Sequence, residues 1–234
     1  MPSDIADNIA KVRQRIRKAC IKNGRAETAL TLLAVSKTQS AAAIRAAVAA
    51  GVIDIGESYW QEAEQKLAEL VDLPIVWHFI GPLQTNKTRA IAAHFAWVHS
   101  VDRLKIAERL AAQRAPGLPP LNICLQVNIN AEASKAGVSV EELPALAAAV
   151  ATLPQLRLRG LMAIPQASDD VLVQRHNFAR VHALFDQLQQ RWPQLDTLSM
   201  GMSGDLDAAV LEGSTLLRIG TDIFGARLNG NTTP

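Results

Sequence analysis

The stretch TLLAVSKTQSAAAIRAAVAAGVIDIG, residues 31–56, contains two apolar runs of strand length separated by an alanine-rich segment. Short apolar or β-branched runs are typical of buried strands, whereas the alanine-rich segment favours a helix. Two strands that are joined through a helix pair in parallel, because a hairpin connection is too short to contain a helix. The stretch therefore predicts one β-α-β unit.

The same alternation continues along the chain. Eight strand-like runs occur, at residues 31–37, 52–56, 75–81, 96–100, 121–128, 156–162, 197–202 and 216–220. Helical segments lie between them, for example at residues 41–50, 59–70, 102–113, 140–153 and 171–192. Eight such repeats in 234 residues predict an α/β protein with a (β/α)8 TIM barrel. We expect a single domain over residues 1–234, with an additional N-terminal helix at about 3–23 and the barrel at about 30–228.

An open, doubly wound sheet also alternates strands and helices and is the alternative fold. Such sheets commonly carry the glycine fingerprint G-x-G-x-x-G after the first strand. Here the first run ends in Ser36, Lys37 and Thr38 instead. The absence of the fingerprint from this position favours the barrel.

Composition argues against several classes of protein. With 24 basic and 22 acidic side chains, a net charge of +2 and 4% aromatic residues, we expect no nucleic-acid partner. The apolar stretches are shorter than the roughly 20 residues of a membrane span, and charges interrupt the N-terminal segment, so we expect neither a membrane helix nor a signal peptide. Cys20 and Cys124 form neither a disulfide framework nor a metal pattern. We therefore expect a cytoplasmic protein, and we expect it to act as a monomer.

The functional residues of such a barrel lie at the C-terminal ends of its strands. Lys37 closes the first run and, because side chains alternate along a strand, shares a face with Leu33 and Val35. If this face points into the barrel, burial lowers the pKa of the amine and favours a nucleophile. Most lysines at strand ends are simply solvated, so Lys37 alone does not decide the function.

Two further features belong to the last two strands. Arg218 stands in the apolar run LLRIG and points either into the barrel or outward to a helix acid. Turns with glycine and hydroxyl groups follow strands seven and eight, at residues 201–205 and 220–222. Barrels commonly bind phosphate between these two loops. The candidate phosphate-binding residues are Ser203, Gly220 and Thr221.

An amine, an arginine and a phosphate cradle together match pyridoxal 5′-phosphate (PLP), which has an aldehyde, a pyridine ring and a phosphate. In this hypothesis Lys37 forms a Schiff base with the aldehyde, and Arg218 contacts the pyridine nitrogen. An arginine at this nitrogen disfavours its protonation and weakens the ring as an electron sink.

The chain resembles the pyridoxal-phosphate homeostasis proteins, which are single barrels similar to the N-terminal domain of alanine racemases. The resemblance covers nearly the whole chain and is most specific in WHFIGPLQTNK, residues 77–87, and RIGTDIFGAR, residues 218–227. The resemblance implies that Lys37 forms the Schiff base and that Arg218 contacts the pyridine nitrogen. It also implies that Ser203, Gly220 and Thr221 surround the phosphate. Three positions depart from the residue types usual in this family: Ser58, Trp60 and Gly204.

Three further residues are candidates for contacts at the site. Met202 lies beside Ser203 and is a further candidate cofactor contact. His78 shares a face with Val76 and Ile80 and either lines the ring pocket or packs in the core. Lys135, in the loop after strand five, acts either as part of a lid or as a solvated lysine.

Three functions are compatible with these residues. The first is a non-enzymatic carrier that holds PLP through Lys37 and buffers or delivers it to apoenzymes, a role in vitamin B6 homeostasis. The second is an amino-acid racemase working from an open barrel, and the third is a Schiff-base aldolase acting on a phosphosugar. A racemase needs groups on both faces of its substrate, yet the only tyrosine is Tyr59, and with 14 residues after Gly220 we expect no second domain. The aldolase leaves Arg218 unexplained, so the carrier is favoured.

Overall fold

The structure, a computed structural model, describes residues 4–132 and 136–225. Eight parallel strands close into a barrel in chain order. The strands are β1 (Thr31–Val35), β2 (Asp54–Glu57), β3 (Val76–Phe79), β4 (Trp97–Val101), β5 (Leu121–Val127), β6 (Leu156–Ala163), β7 (Thr197–Ser199) and β8 (Leu216–Ile219). Because β1 pairs with β8 over four residues, the predicted barrel is confirmed and the open sheet is excluded.

Helices surround the barrel. They are α1 (Ile5–Lys22), α2 (Ala41–Ala49), α3 (Trp60–Glu69), α4 (Thr88–His94), α5 (Leu104–Gln113), α6 (Leu143–Ala151), α7 (Val171–Arg191), α8 (Leu206–Leu211) and α9 (Thr221–Phe224). The additional helix α1 begins after Asp4, whose carboxylate accepts a hydrogen bond from the N–H of Ala6. Its buried residues recur every three or four positions, and this face packs on α2, α8 and α9.

The strands have two differently composed faces. The outer face packs on the helices with apolar residues such as Ala34, Ile55 and Phe79. The inner face is more polar, because buried histidines, a serine and an arginine from β3, β4, β7 and β8 bond to one another there. Barrel interiors are usually filled by branched apolar side chains. The polar interior therefore requires a hydrogen-bond partner for each of these groups.

Several of the expectations above concern membrane spans, cysteines and metal-ligating side chains. Within residues 4–132 and 136–225, none of the helices combines the length and apolar character of a membrane span. Cys20 and Cys124 are buried free thiols, and the same part of the chain contains no cluster of three metal-ligating side chains. The cytoplasmic location and the monomeric state stay predictions. Lys135 lies outside the described residues.

Candidate functional site

A cavity of about 320 Å³ opens at the C-terminal mouth of the barrel. It is lined by Val35, Lys37, Ser58, Ile80, Ile164, Met202, Ser203, Gly204, Arg218, Gly220 and Thr221. Six of the seven predicted site residues are therefore brought together in one place. The seventh, His78, is not part of the lining.

Lys37 is placed at the cavity by a sharp change of chain direction after β1. It is half-buried, and Val35, on the same face of the strand, lines the cavity with it. The next residue, Thr38, has a φ of 65°, a conformation that is strained for a β-branched side chain. Its N–H donates to Oε2 of Glu62 at 2.8 Å, which stabilises the turn. The chain thus leaves the barrel immediately after Lys37.

A buried ion pair secures the residue before Lys37. Oε1 of Glu57 accepts hydrogen bonds from Oγ of Ser36 at 2.5 Å and from Nζ of Lys66 at 2.7 Å. Nζ of Lys66 also donates to the carbonyl of Ser36 at 2.8 Å. Burial raises the pKa of Glu57, and the hydrogen bond and charge of Lys66 oppose that rise. We call Ser36, Glu57, Glu62 and Lys66 the Lys66 network, because Lys66 also lies 3.7 Å from Glu62.

Arg218 points into the barrel, so the outward alternative is excluded. Its Nη1 donates to the carbonyl of Ser199 at 2.5 Å and to Oγ of Ser199 at 2.8 Å, and its Nη2 donates to the carbonyl of Ala163 at 2.9 Å. Burial lowers the pKa of the guanidinium to about 10, which leaves it charged at neutral pH. Since a guanidinium has five N–H groups, these three bonds leave donor capacity for a ligand in the cavity.

The two predicted phosphate turns lie side by side. After β7 the chain turns at Gly201, where φ is 97° and a Cβ would lie 2.5 Å from Cβ of Ala209, so only glycine fits. The N–H of Asp222, in the second turn, donates to Oγ of Ser203 at 3.3 Å. Helices α8 and α9 follow the two turns directly. Residues of both turns, among them Ser203 and Thr221 with their hydroxyl groups, therefore line the same cavity.

Arg15 of the additional helix α1 joins these two turns from outside. Its Nη1 donates to the carbonyl of Ser203 at 2.7 Å, and its guanidinium forms ion pairs with Asp207 at 2.6 Å and Asp222 at 3.4 Å. No local pattern in the sequence indicates this role of Arg15, because Ser203 lies 188 residues away in the chain. This arginine fixes the geometry of both turns.

His78 is buried deeper in the barrel. Its Nδ1 lies 2.9 Å from Nε2 of His99, and its Nε2 lies 3.0 Å from Oδ1 of Asp54. His78 and Asp54 line a separate cavity of about 200 Å³, formed by the first residues of several strands at the opposite mouth. Of the positions that depart from the family pattern, Ser58 and Gly204 line the first cavity, whereas Trp60 packs against His94 with ring centroids 5.5 Å apart.

Comparisons with known proteins identify the family of this chain. Residues 2–228 match the family described as alanine racemase, N-terminal domain. The chain is 62% identical over 225 residues to a pyridoxal phosphate homeostasis protein of Pseudomonas aeruginosa, covering 96% of each chain. It is 52% identical over 229 residues to the protein of the same name from Escherichia coli, covering 96% of this chain and 97% of that one. PipY of Synechococcus elongatus, solved with and without PLP, is similar with a TM-score of 0.82 and 40% identity over 94% of this chain and 100% of PipY.

Proposed function

Because the chain belongs to the alanine racemase N-terminal domain family, and within it to the pyridoxal phosphate homeostasis proteins, we propose that it binds PLP reversibly and buffers or delivers it without catalytic turnover. One observation carries this proposal: an amine, an arginine and two phosphate-type turns line a single cavity. PipY, 40% identical to this chain, has been solved with PLP bound, which supports the choice of ligand.

The residues of the cavity fit the three parts of the cofactor. Lys37 would hold the aldehyde, Arg218 would contact the pyridine nitrogen, and Ser203, Gly220 and Thr221 would surround the phosphate. The volume of about 320 Å³ falls within the range of small-molecule sites. When bound, PLP supplies an electrophilic aldehyde carbon and an electron-accepting ring.

Lys37 would bind the cofactor covalently but reversibly. Its amine would hold the aldehyde carbon of PLP through a C=N bond, a Schiff base, with the aldehyde oxygen leaving as one water molecule. Addition of water or of a competing amine reverses the step. Ile164 and Met202 at the rim are 39% and 38% exposed, so solvent has access to this linkage. An exposed linkage favours release of the cofactor.

The charges of the site disfavour racemase chemistry. Arg218 stays charged at neutral pH and would donate a hydrogen bond to the ring nitrogen, which disfavours protonation of that nitrogen. A carbanion next to the ring is then less stabilised. The only tyrosine, Tyr59, is 51% exposed and does not line the cavity, so it is a poor candidate for a second base. We propose apoenzymes as the recipients of the cofactor and a cytoplasmic monomer as the carrier.

Loaded protein is expected to reactivate a cofactor-depleted acceptor enzyme while leaving amino acids unchanged. The measurement incubates loaded protein with the acceptor, and separately with L-alanine in deuterated water, and follows acceptor activity, stereoinversion and deuterium uptake. The control is an equal amount of free PLP. Stereoinversion at about 1 s⁻¹ or more would establish a racemase instead. Reactivation no greater than with free PLP would rule out delivery.

Replacing both hydroxyl residues of the turns, Ser203→Ala with Thr221→Ala, is expected to weaken PLP binding about tenfold or more, because hydrogen bonds to a charged phosphate are lost. Binding of unphosphorylated pyridoxal should change much less. Equilibrium titration with both ligands measures the difference. The matched control, Thr152→Ala with Ser168→Ala, lies outside the cavity lining and should affect neither ligand. Equal losses for PLP and pyridoxal would remove the two hydroxyls from the phosphate site.

A further inference from the structure

A continuous chain of hydrogen bonds crosses the barrel interior from Arg218 to the opposite mouth. Nη1 of Arg218 lies 2.8 Å from Oγ of Ser199, which lies 2.8 Å from Nδ1 of His99. Nε2 of His99 lies 2.9 Å from Nδ1 of His78, and Nε2 of His78 lies 3.0 Å from Oδ1 of Asp54. We call these five residues the interior chain. It begins at the candidate cofactor cavity and ends in the second cavity.

Every hydrogen bond of the interior chain is donated in the same direction, from Arg218 toward Asp54. A guanidinium has no acceptor, so Oγ of Ser199 accepts from Arg218 and directs its own proton to Nδ1 of His99. Burial lowers the pKa of both histidines, and that of His99 falls well below its usual value, so both rings are neutral. The proton of His99 is then on Nε2 and is donated to His78. His78 in turn donates from Nε2 to Asp54.

Hydrogen bonds donated in the opposite direction, from Asp54 toward Arg218, are not compatible with the carboxylate of Asp54. If His99 donated from Nδ1 to Ser199, its Nε2 would accept from Nδ1 of His78. The unprotonated Nε2 of His78 would then face Oδ1 of Asp54 at 3.0 Å, which places two acceptors in contact. A cation at one end and an anion at the other therefore select a single tautomer for each histidine.

We infer that His99, His78 and Asp54 are positioning residues, which act through Oγ of Ser199 to orient Arg218 at the cavity, in addition to the carbonyls of Ser199 and Ala163 that also bind it. This inference rests on the proposed function, in which Arg218 contacts the ring nitrogen. Oγ of Ser199 is a fixed acceptor for Arg218 only while its proton is donated to His99. The carboxylate of Asp54 fixes that arrangement, because it accepts the last proton of the chain. The side chain of Asp54 is partly exposed, so water can reach the position of its carboxylate when Asp54 is replaced.

The tautomers are tested first, without cofactor. Nitrogen NMR of protein labelled at histidine is expected to show His78 and His99 neutral, with the proton on Nε2, at pH about 7. A proton on Nδ1 of either ring, or a charged ring, would overturn the inference. This measurement does not depend on PLP, so it separates failure of the inference from failure of the proposed function. The latter fails independently if Lys37 forms no adduct.

The coupling is tested with Asp54→Ala. This variant should shift the guanidinium NMR signals of Arg218 in the absence of cofactor and weaken PLP binding about fivefold, the lower end of usual couplings between sites. Asp54→Asn, which keeps an acceptor oxygen, should restore most of both. The matched control is Asp196→Ala, because Asp196 lines the same second cavity but pairs with Arg159. Asp196→Ala should leave the guanidinium signals of Arg218 and the affinity for PLP unchanged.

Two outcomes would overturn the coupling. Equal effects of Asp54→Ala and Asp196→Ala would indicate a general effect of charge at that mouth. No effect of Asp54→Ala on the Arg218 signals would show that the interior chain does not hold the guanidinium. As a final check, Asp54→Ala added to Arg218→Ala should weaken PLP binding no further. A further loss would mean that Asp54 acts by another route.

Discussion

The Lys37→Ala protein is expected to lose the visible absorption band of bound PLP completely, while its Tm stays close to that of the native protein. No other lysine lines the cavity within the described residues, so no other amine there can form the Schiff base. The remaining phosphate and ring contacts of the proposed site would bind PLP only weakly. Since Lys37 is half-buried at the end of a strand, its removal should change stability by about 0.5 kcal/mol or less.

Borohydride reduction followed by peptide mass mapping identifies the lysine directly. The adduct should lie on Lys37 in the native protein and be absent from the Lys37→Ala variant. Lys105→Ala, which removes an exposed lysine outside the cavity, is the matched control and should keep the band. An adduct mainly on Lys87, Lys105 or Lys135 would contradict the assignment.

Lys66→Met is expected to destabilise the protein by about 3–5 kcal/mol, because it leaves the buried carboxylate of Glu57 without its cation. Oε2 of Glu57 has no hydrogen-bond partner among the residues that the structure describes, so Ser36 alone would stabilise the charge. Urea unfolding measures the loss. The matched control, Lys105→Met, removes an exposed lysine and should cost about 0.5 kcal/mol or less. The double variant Glu57→Gln with Lys66→Met should recover much of the stability, because no buried charge is left.

The loss caused by Lys66→Met should depend on pH. Burial raises the pKa of Glu57 above the ordinary value of 4.5 for a glutamate, so the folded protein binds this proton more tightly than the unfolded chain. Stability contributed by this group therefore falls as pH rises from the unfolded pKa through the folded one. Without Lys66 the folded pKa rises further. The difference in the free energy of unfolding between the Lys66→Met variant and the native protein should then be smallest near pH about 4.5 and grow toward neutral pH. A difference that does not change with pH would contradict a charged Glu57.

The sequence predicts those features that depend on local pattern. Eight alternations of strand and helix lead to the barrel, the rule that sites lie at strand ends leads to Lys37, and the apolar neighbours of Arg218 single out that arginine. Alternation identifies the face of a strand but not the depth of a residue in the barrel. His78 shares its face with Ile80 yet lies two residues earlier, which places it roughly 7 Å deeper. This is why Ile80 lines the cavity and His78 does not.

The sequence does not predict contacts between residues that are distant along the chain. His99 bonds to Ser199 across the barrel over 100 residues, and no local pattern signals that pair. The sequence gives only a partial indication of the Lys66 network. Glu57 ends β2 and Lys66 lies nine residues later, which makes a contact possible, but nothing in the sequence shows that both side chains are buried. In the sequence, Arg15 resembles an ordinary surface residue of an amphipathic helix. Only the fold places the turns after β7 and β8 beside it.

The contacts of Arg15 bear on the order in which the site is completed during synthesis. Arg15 and Lys37 leave the ribosome well before Asp207 and Asp222, the acids that Arg15 binds. A nascent chain that ends before Asp222 carries Lys37 but not the complete second turn, and β8 is needed to close the barrel against β1. Such a chain has the amine of Lys37 but lacks one of the two turns proposed to bind the phosphate. Under the proposed function, the ability to capture the cofactor therefore arises only after Asp222 has been made, and shorter nascent chains do not compete for it.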